Sequence, residues 1–271
     1  MSLRLLRRAL ALALVLSAAV LRCWKLQIKG PLPLQRRALW LQDTCIRVLR
    51  SMEIRCEVEG DIPKHGLVVA NHLSYLDIVI LSAAMPCFFV AKSEIGEWFY
   101  FGKAAQAGGT LFIDRSRRAS ADTVASSISE RLKLQVPVLF FPEGTSTDGR
   151  MLKFHSSLFE PAIRDRAPVT PVAIRYVMQD GTPEKELCWF GDEALAPHLV
   201  RTLKTAGFHA KLHFGEPQVY ESRRTAAAAT SAQIAALRNG AVRTNASVSP
   251  QHANATEASL IGSTGSGIPR P

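Results

Sequence analysis

The 271-residue sequence predicts an α/β protein: an αβα sandwich around a mixed, mainly parallel sheet, with an N-terminal membrane-associating helical pair. Three observations carry this. From about Cys56 onward, short apolar runs alternate with longer helix-like stretches, the pattern of strands covered on both faces. Polar residues gather just after several of those runs, where such sheets place their functional loops. And residues 1–55 hold eleven Lys and Arg against Asp43 and Glu53, nearly the whole net charge of +10, on an apolar background. Basic and apolar together suit an anionic membrane surface. No zinc-ligand spacing or compact basic reading helix points to nucleic acid.

Taken in order, Ala9 to Leu21 is free of charge and flanked by Arg4, Arg7, Arg8, Arg22 and Lys25. It falls short of the roughly 20 residues a bilayer span needs. A secretory leader fits its start, but Arg22, Trp24 and Lys25 follow at once. After Pro31 and Pro33, Arg36 to Met52 forms a second helical stretch, apolar at Leu39, Trp40, Ile46, Val48 and Leu49. The pair is expected to dip into, or cross part of, a membrane, with Trp24 and Trp40 at the head groups. An amphipathic helix packed on the domain is the alternative for the second segment. Strands are predicted at Leu67–Ala70, Phe88–Ala91, Thr110–Ile113, Val138–Phe141, Val169–Tyr176 and Ala210–Phe214. Helices are predicted at Ser74–Ala84, Glu94–Ala105, Ser120–Leu134, Ser156–Arg164 and Pro197–Ala206, with a weak last one at Ala226–Leu237. From about Asn239 the composition is too polar and small to offset its ordering entropy, so a disordered tail is expected. The domains are thus 1–55 basic helices, 56–222 catalytic domain, and 223–271 weak helix and tail. The five cysteines are scattered, odd in number and without metal spacing, as in a reducing compartment.

The segment Val68 to Asp77 organises the rest. A buried strand ends at Ala70, and Ser74 with Asp77 three residues later forms a capping-box pattern. Five steps along a regular helix turn two side chains about 140° apart. His72 therefore meets Asp77 only from the loop outside the helix. A carboxylate on one imidazole nitrogen sets the tautomer and leaves the other free to take a proton. From this segment alone, a helix-capping Asp77 beside a satisfied loop histidine stands equally well.

Three further loops carry polar content: Gly108 to Arg115, where Ile113-Asp114-Arg115 ends a strand; Phe140 to Gly149, with Pro142-Glu143-Gly144-Thr145-Ser146; and Val169 to Ile174, with Pro171 inside the run. In order and approximate spacing, the four resemble the sequence blocks of the glycerolipid acyltransferase superfamily, over roughly residues 56–220. The likeness is to bacterial 1-acylglycerol-3-phosphate acyltransferases and their lysophospholipid-acylating relatives. It implies His72 as general base and Asp77 as its orienter, with the acceptor hydroxyl attacking the thioester of acyl-CoA or acyl-carrier protein directly. It implies Arg115 as an acceptor-phosphate contact, a guanidinium matching phosphate with paired hydrogen bonds, and Lys92 as a second basic contact. Glu143 and Gly144 would shape the acceptor site, Thr145 and Ser146 would donate there, and Pro171 would end its strand. Each keeps a bland alternative: a solvated Arg115–Asp114 pair, an exposed Lys92, a turn carboxylate at Glu143 paired with Arg115 or Arg150.

A hydrolase would need an activated serine, and Gly144-Thr145-Ser146-Thr147-Asp148 misses the nucleophile-elbow pattern at its last position. A non-enzymatic membrane module leaves His72, Asp77, Arg115 and Glu143 unexplained. The resemblance makes lysophosphatidate the default acceptor, with lyso-ornithine lipid or another lysophospholipid as the alternative. It implies no metal or bound cofactor, no nucleic-acid partner, and a place at the cytoplasmic face of a membrane, where activated acyl donors are made.

Overall fold

A computed structural model describes residues 3–28, 30–98, 101–114 and 118–240. Two helices, α1 (Leu3–Gln27) and α2 (Leu34–Met52), precede a seven-stranded sheet. Its strands are β1 (Arg55–Glu59), β2 (Leu67–Ala70), β3 (Phe88–Lys92), β4 (Leu111–Ile113), β5 (Val138–Phe140), β6 (Val169–Val177) and β7 (His209–Phe214), in the spatial order β1-β7-β6-β2-β5-β3-β4. β6 and β7 are antiparallel and every other neighbouring pair is parallel. Between strands lie α3 (Leu76–Ala84), α4 (Ser93–Gly96), α5 (Phe101–Gly108), α6 (Arg118–Leu132), α7 (Glu160–Arg164) and α8 (Leu195–Lys204); α9 (Arg223–Arg238) follows β7.

The central strand shows why this is a sandwich. All four β2 residues are fully buried. Val68 and Ala70 face a core shared with α1, α2 and α3, through Leu12, Val48, Met52, Leu76 and Ile80. Leu67 and Val69 face the other side, against Ile128 of α6 and Ile234 of α9. Period-two alternation with both faces apolar requires a helical layer on each side.

The structure departs from the sequence reading at four places. β1 was not predicted as a strand because Arg55, Glu57 and Glu59 make it read as solvated chain; it is an edge strand, held to β7 by cross-strand pairs such as Glu59 with His213 Nδ1 at 3.4 Å and Glu57 with Lys211 Nζ at 3.4 Å. The single helix predicted over Glu94–Ala105 is two, α4 and α5; Gly102 packs so closely that a Cβ there would lie 2.2 Å from the Gly96 carbonyl oxygen. Pro171 does not end its strand. It is the third residue of nine in β6, tolerated because the β7 ladder begins only at Val172 opposite Phe214, so the missing N–H faces no strand partner.

The N-terminal pair divides. α2 lays its apolar face on the domain, burying Ala38, Trp40, Leu41, Cys45, Val48, Leu49 and Met52, so Trp40 is an interior residue and not a head-group contact. α1 is long and apolar enough to cross a membrane by length and composition. It leaves Leu3, Leu6, Leu10, Leu14, Leu21 and Trp24 exposed at roughly helical spacing. Arg8 is buried beneath it, paired with Glu53 and donating to the Thr205 carbonyl at 2.7 Å. Near the other end of α1, Arg22 pairs with Asp43 of α2.

Candidate active site

β2 ends where its layer of helices ends, and the loop that follows turns back on itself through Asp77. This carboxylate is fully buried. Its Oδ2 accepts from the backbone N–H of Leu73 at 2.6 Å and Ser74 at 3.0 Å, and lies 2.8 Å from His72 Nδ1. Ser74 is not the N-cap that the pattern predicts: the helix starts at Leu76 with Tyr75 as its N-cap and no side-chain cap bond, although Asp77 does accept from Ser74 N–H. Ser74 Oγ accepts from Leu76 N–H at 3.3 Å, one residue earlier than the standard pattern, because the helix opens through a tight turn in which Asp77 N–H donates to the Ser74 carbonyl. Asp77 Oδ1 accepts from the Tyr176 hydroxyl on β6. Burial, and after it the Asp77 charge, push the Tyr176 phenol well above its ordinary pKa, so it remains the donor.

His72 is clasped from the second side by the Pro-Glu-Gly loop after β5. Its N–H donates to Glu143 Oε1 at 3.0 Å, and its carbonyl accepts from Thr147 N–H at 2.9 Å. The imidazole stacks on Phe141, centroids 3.9 Å apart. Among the described residues nothing hydrogen-bonds Nε2. Behind the loop, Asn71 donates to the Ile174 carbonyl at 3.1 Å and accepts from Ile174 N–H at 2.7 Å, tying the turn to β6.

His72 opens on a cavity of about 350 Å³. Lys92, Gly144, Thr145 and Ser146 line it beside His72, with Trp98, Trp189 and Phe190 around them. The remaining wall is mostly apolar, built by residues such as Leu12 and Leu16 of α1, Leu41, Cys45 and Val48 of α2, Val79 of α3, and Ala104 and Ala105 of α5, with Thr44 and Thr110 among them. Such a space suits an alkyl chain with its reactive end at the imidazole. Cys45 in that wall is pushed up to about 12 by burial, which keeps it a thiol and no nucleophile. Among the described residues Ser146 makes no hydrogen bond to His72, so the serine–base contact of a hydrolase is not formed.

The structure therefore brings together His72, Asp77, Lys92, Gly144, Thr145 and Ser146. Glu143 stands apart from the cavity wall: it is 4% exposed, and its second oxygen accepts from Leu152 N–H at 2.9 Å. Both oxygens serve backbone donors, so it braces the loop and pairs with neither Arg150 nor a cavity group. Burial raises its carboxyl pKa against those two hydrogen bonds. Arg115 lies outside the described residues. Tyr176, Asn71 and Trp98 are contributors that the sequence reading did not assign. A tyrosine in a mostly apolar strand was the available signal, since a buried phenol needs a partner.

The Acyltransferase family model matches residues 53–175, the stretch that carries His72, Asp77, Lys92 and the loop Glu143 to Ser146. The lyso-ornithine lipid O-acyltransferase of Pseudomonas aeruginosa is 36% identical over 211 residues, covering 74% of this chain and 79% of that protein. The 1-acyl-sn-glycerol-3-phosphate acyltransferase of Neisseria meningitidis is 40% identical over 138 residues, covering 49% of this chain and 54% of that one. The fold matches the crystal structure of the 1-acyl-sn-glycerophosphate (LPA) acyltransferase PlsC from Thermotoga maritima, with a TM-score of 0.64 at 17% identity, over 90% of this chain and 97% of that one. This chain belongs to the acyltransferase family.

Proposed function

We propose that the protein transfers a fatty acyl group from a thioester donor, acyl-CoA or acyl-carrier protein, to the free hydroxyl of a lyso-lipid. The observation that carries this is the 2.8 Å contact of His72 Nδ1 with Asp77, beside an Nε2 that faces the cavity. In this reading Nε2 takes the hydroxyl proton as the oxygen attacks the thioester carbonyl. The C–O ester bond forms, the C–S bond breaks, and the proton passes from His72 to the leaving thiolate, restoring the base. Lys92 and Arg115 meet the acceptor's acidic group, the carboxylate of ornithine or the phosphate of lysophosphatidate, and Thr145 and Ser146 donate beside it. No step calls for a metal or bound cofactor.

Lyso-ornithine lipid is the acceptor this reading puts first, because relatives aligned over most of the chain carry that name, while phosphate-acceptor relatives align over about half. Lysophosphatidate, the acceptor expected from the motifs, is second. α1 is read as lying in one leaflet: its pairs at Arg8 and Arg22 are about 21 Å apart along the helix and hold both ends to the domain. Leu10, Leu14 and Trp24 then enter lipid on the face opposite the cavity-lining Leu12 and Leu16. The cytoplasmic leaflet is the expected side, where thioester donors are found.

The test is acyl transfer by the solubilised full chain, with each donor against lyso-ornithine lipid and lysophosphatidate, alongside His72→Ala. Product with either acceptor that vanishes in His72→Ala supports the reading and names the acceptor. Thioester loss without acylated product, or full turnover in His72→Ala, defeats it.

A further inference from the structure

Asp77 receives its hydrogen bonds unequally. Oδ2 takes both backbone N–H groups of its own turn and faces His72 Nδ1, whereas the Tyr176 hydroxyl, from a strand 99 residues later, serves Oδ1. Rotation of a carboxylate about its terminal torsion is soft. Without a partner on Oδ1, the carboxylate is held from one side only.

Tyr176 is itself held. It is 3% exposed, its ring packs on Phe208 with centroids 4.9 Å apart, and its N–H donates to Glu184 Oε1 at 2.8 Å. Glu184 Oε2 accepts from Arg238 Nη2 at 2.6 Å, at the end of α9. Arg238 also donates to the Ile174 carbonyl, which Asn71 shares, and to the Gly149 carbonyl at 3.3 Å in the loop that clasps His72. One guanidinium on the far face of the sheet thus ties together the strand bearing Tyr176 and the loop bearing Glu143 and Thr147.

We propose that Tyr176 is a positioning residue for the His72–Asp77 pair, braced by Glu184 and Arg238: its phenol fixes the carboxylate with Oδ2 toward His72 and withdraws negative charge from Asp77. The inference rests on the general-base reading of His72. Its chemistry has a definite sign. Removing the phenol hydroxyl leaves more negative charge on Asp77, which favours a cationic partner over a neutral one, so the acidic limb of the rate profile moves to higher pH. Among the described residues, the other titratable groups around this centre include Lys92 and Tyr75 on the cavity wall with His72, Glu143 from the loop after β5, Cys188 and Glu184 from the segment after β6, and Arg238 from α9.

The experiment measures kcat, KM and the acidic limb of kcat/KM against pH for the full chain and for His72→Ala, Tyr176→Phe, Phe208→Leu and Arg238→Met. Tyr176→Phe is expected to lower kcat roughly tenfold, leave both KM values within about twofold, and move the acidic limb to higher pH. Phe208→Leu, which disturbs the ring and keeps the hydroxyl, is expected to lower Tm without moving that limb. Arg238→Met is expected to lower kcat severalfold at unchanged KM, with partial rescue by Arg238→Lys; it also reads the brace if Tyr176→Phe does not fold. Wild-type kcat and pH limb in Tyr176→Phe, or an equal limb shift in Phe208→Leu, overturns the proposal while an inactive His72→Ala leaves the base reading standing. Turnover in His72→Ala defeats both.

Discussion

The hub around Asp77 and the cavity in front of His72 share a wall and are built on opposite terms. In the hub, Asp77, Glu143, Asn71 and Tyr176 are buried polar groups, each with named partners. In the cavity, α1, α2, α3 and α5 contribute mostly apolar surface, while side chains such as Arg8 and Arg37 tie the helices by hydrogen bonds elsewhere. The hub fixes orientation, since a buried group that loses its partner bears the whole desolvation cost. The cavity fixes only shape, which dispersion contacts define and which single side chains can redraw. Chemistry is therefore expected to be brittle and chain preference pliable.

The largest effect expected is at the junction of the two. His72→Ala should lower kcat by about 10²–10⁴-fold at little cost in Tm, because the backbone of residue 72, and not its ring, carries the bonds to Glu143 and Thr147. Steady-state turnover and a thermal melt on one preparation check this. Next comes the cavity wall. Ala105→Phe should shift preference from long to short acyl chains by roughly tenfold or more, with turnover of the preferred chain kept; an unchanged chain profile would show that the cavity does not hold the acyl group. Arg8→Met should cost about 1–3 kcal/mol in chemical denaturation, by leaving the Thr205 carbonyl without its donor and Glu53 with Arg7 alone, while kcat for soluble short-chain donor stays put.

The smallest and most specific effect concerns Glu143. Its carboxyl pKa is raised in the folded state, so the folded protein holds the proton more tightly than the unfolded chain. That contribution to stability is complete below the unfolded value and is lost as pH rises through the raised folded value. As pH rises from the ordinary glutamate value through the raised folded one, the wild type should lose stability that Glu143→Gln does not lose, after allowance for a lower starting point in the variant. Denaturation midpoints at several pH values read this; parallel curves would place the titration elsewhere.

How much of this was legible in the amino-acid order depended on distance along the chain. His72, Ser74 and Asp77 fall within six residues, and the turn and first helical step alone decide that they meet; the strand Leu67–Ala70 matches the predicted bounds for the same local reason. The family blocks are likewise short local patterns after strands, and the family follows from them. The partners of Glu143 and Tyr176 were not legible, because those contacts close loops of 71 and 99 residues. No local periodicity encodes which strand a phenol will face, only that a buried one needs an acceptor. The same holds for α2, whose amphipathic pattern suits a membrane and a protein core alike; packing against α3 decided between them. The sequence by itself determined most of the elements and the local base–carboxylate pair, since propensity and alternation act within a turn or a strand; the charged edge strand β1 and the break between α4 and α5 escaped it. Only the tertiary structure decided which distant groups satisfy the buried polar atoms and how large a cavity the helices leave, since both depend on packing the whole sheet between its two layers.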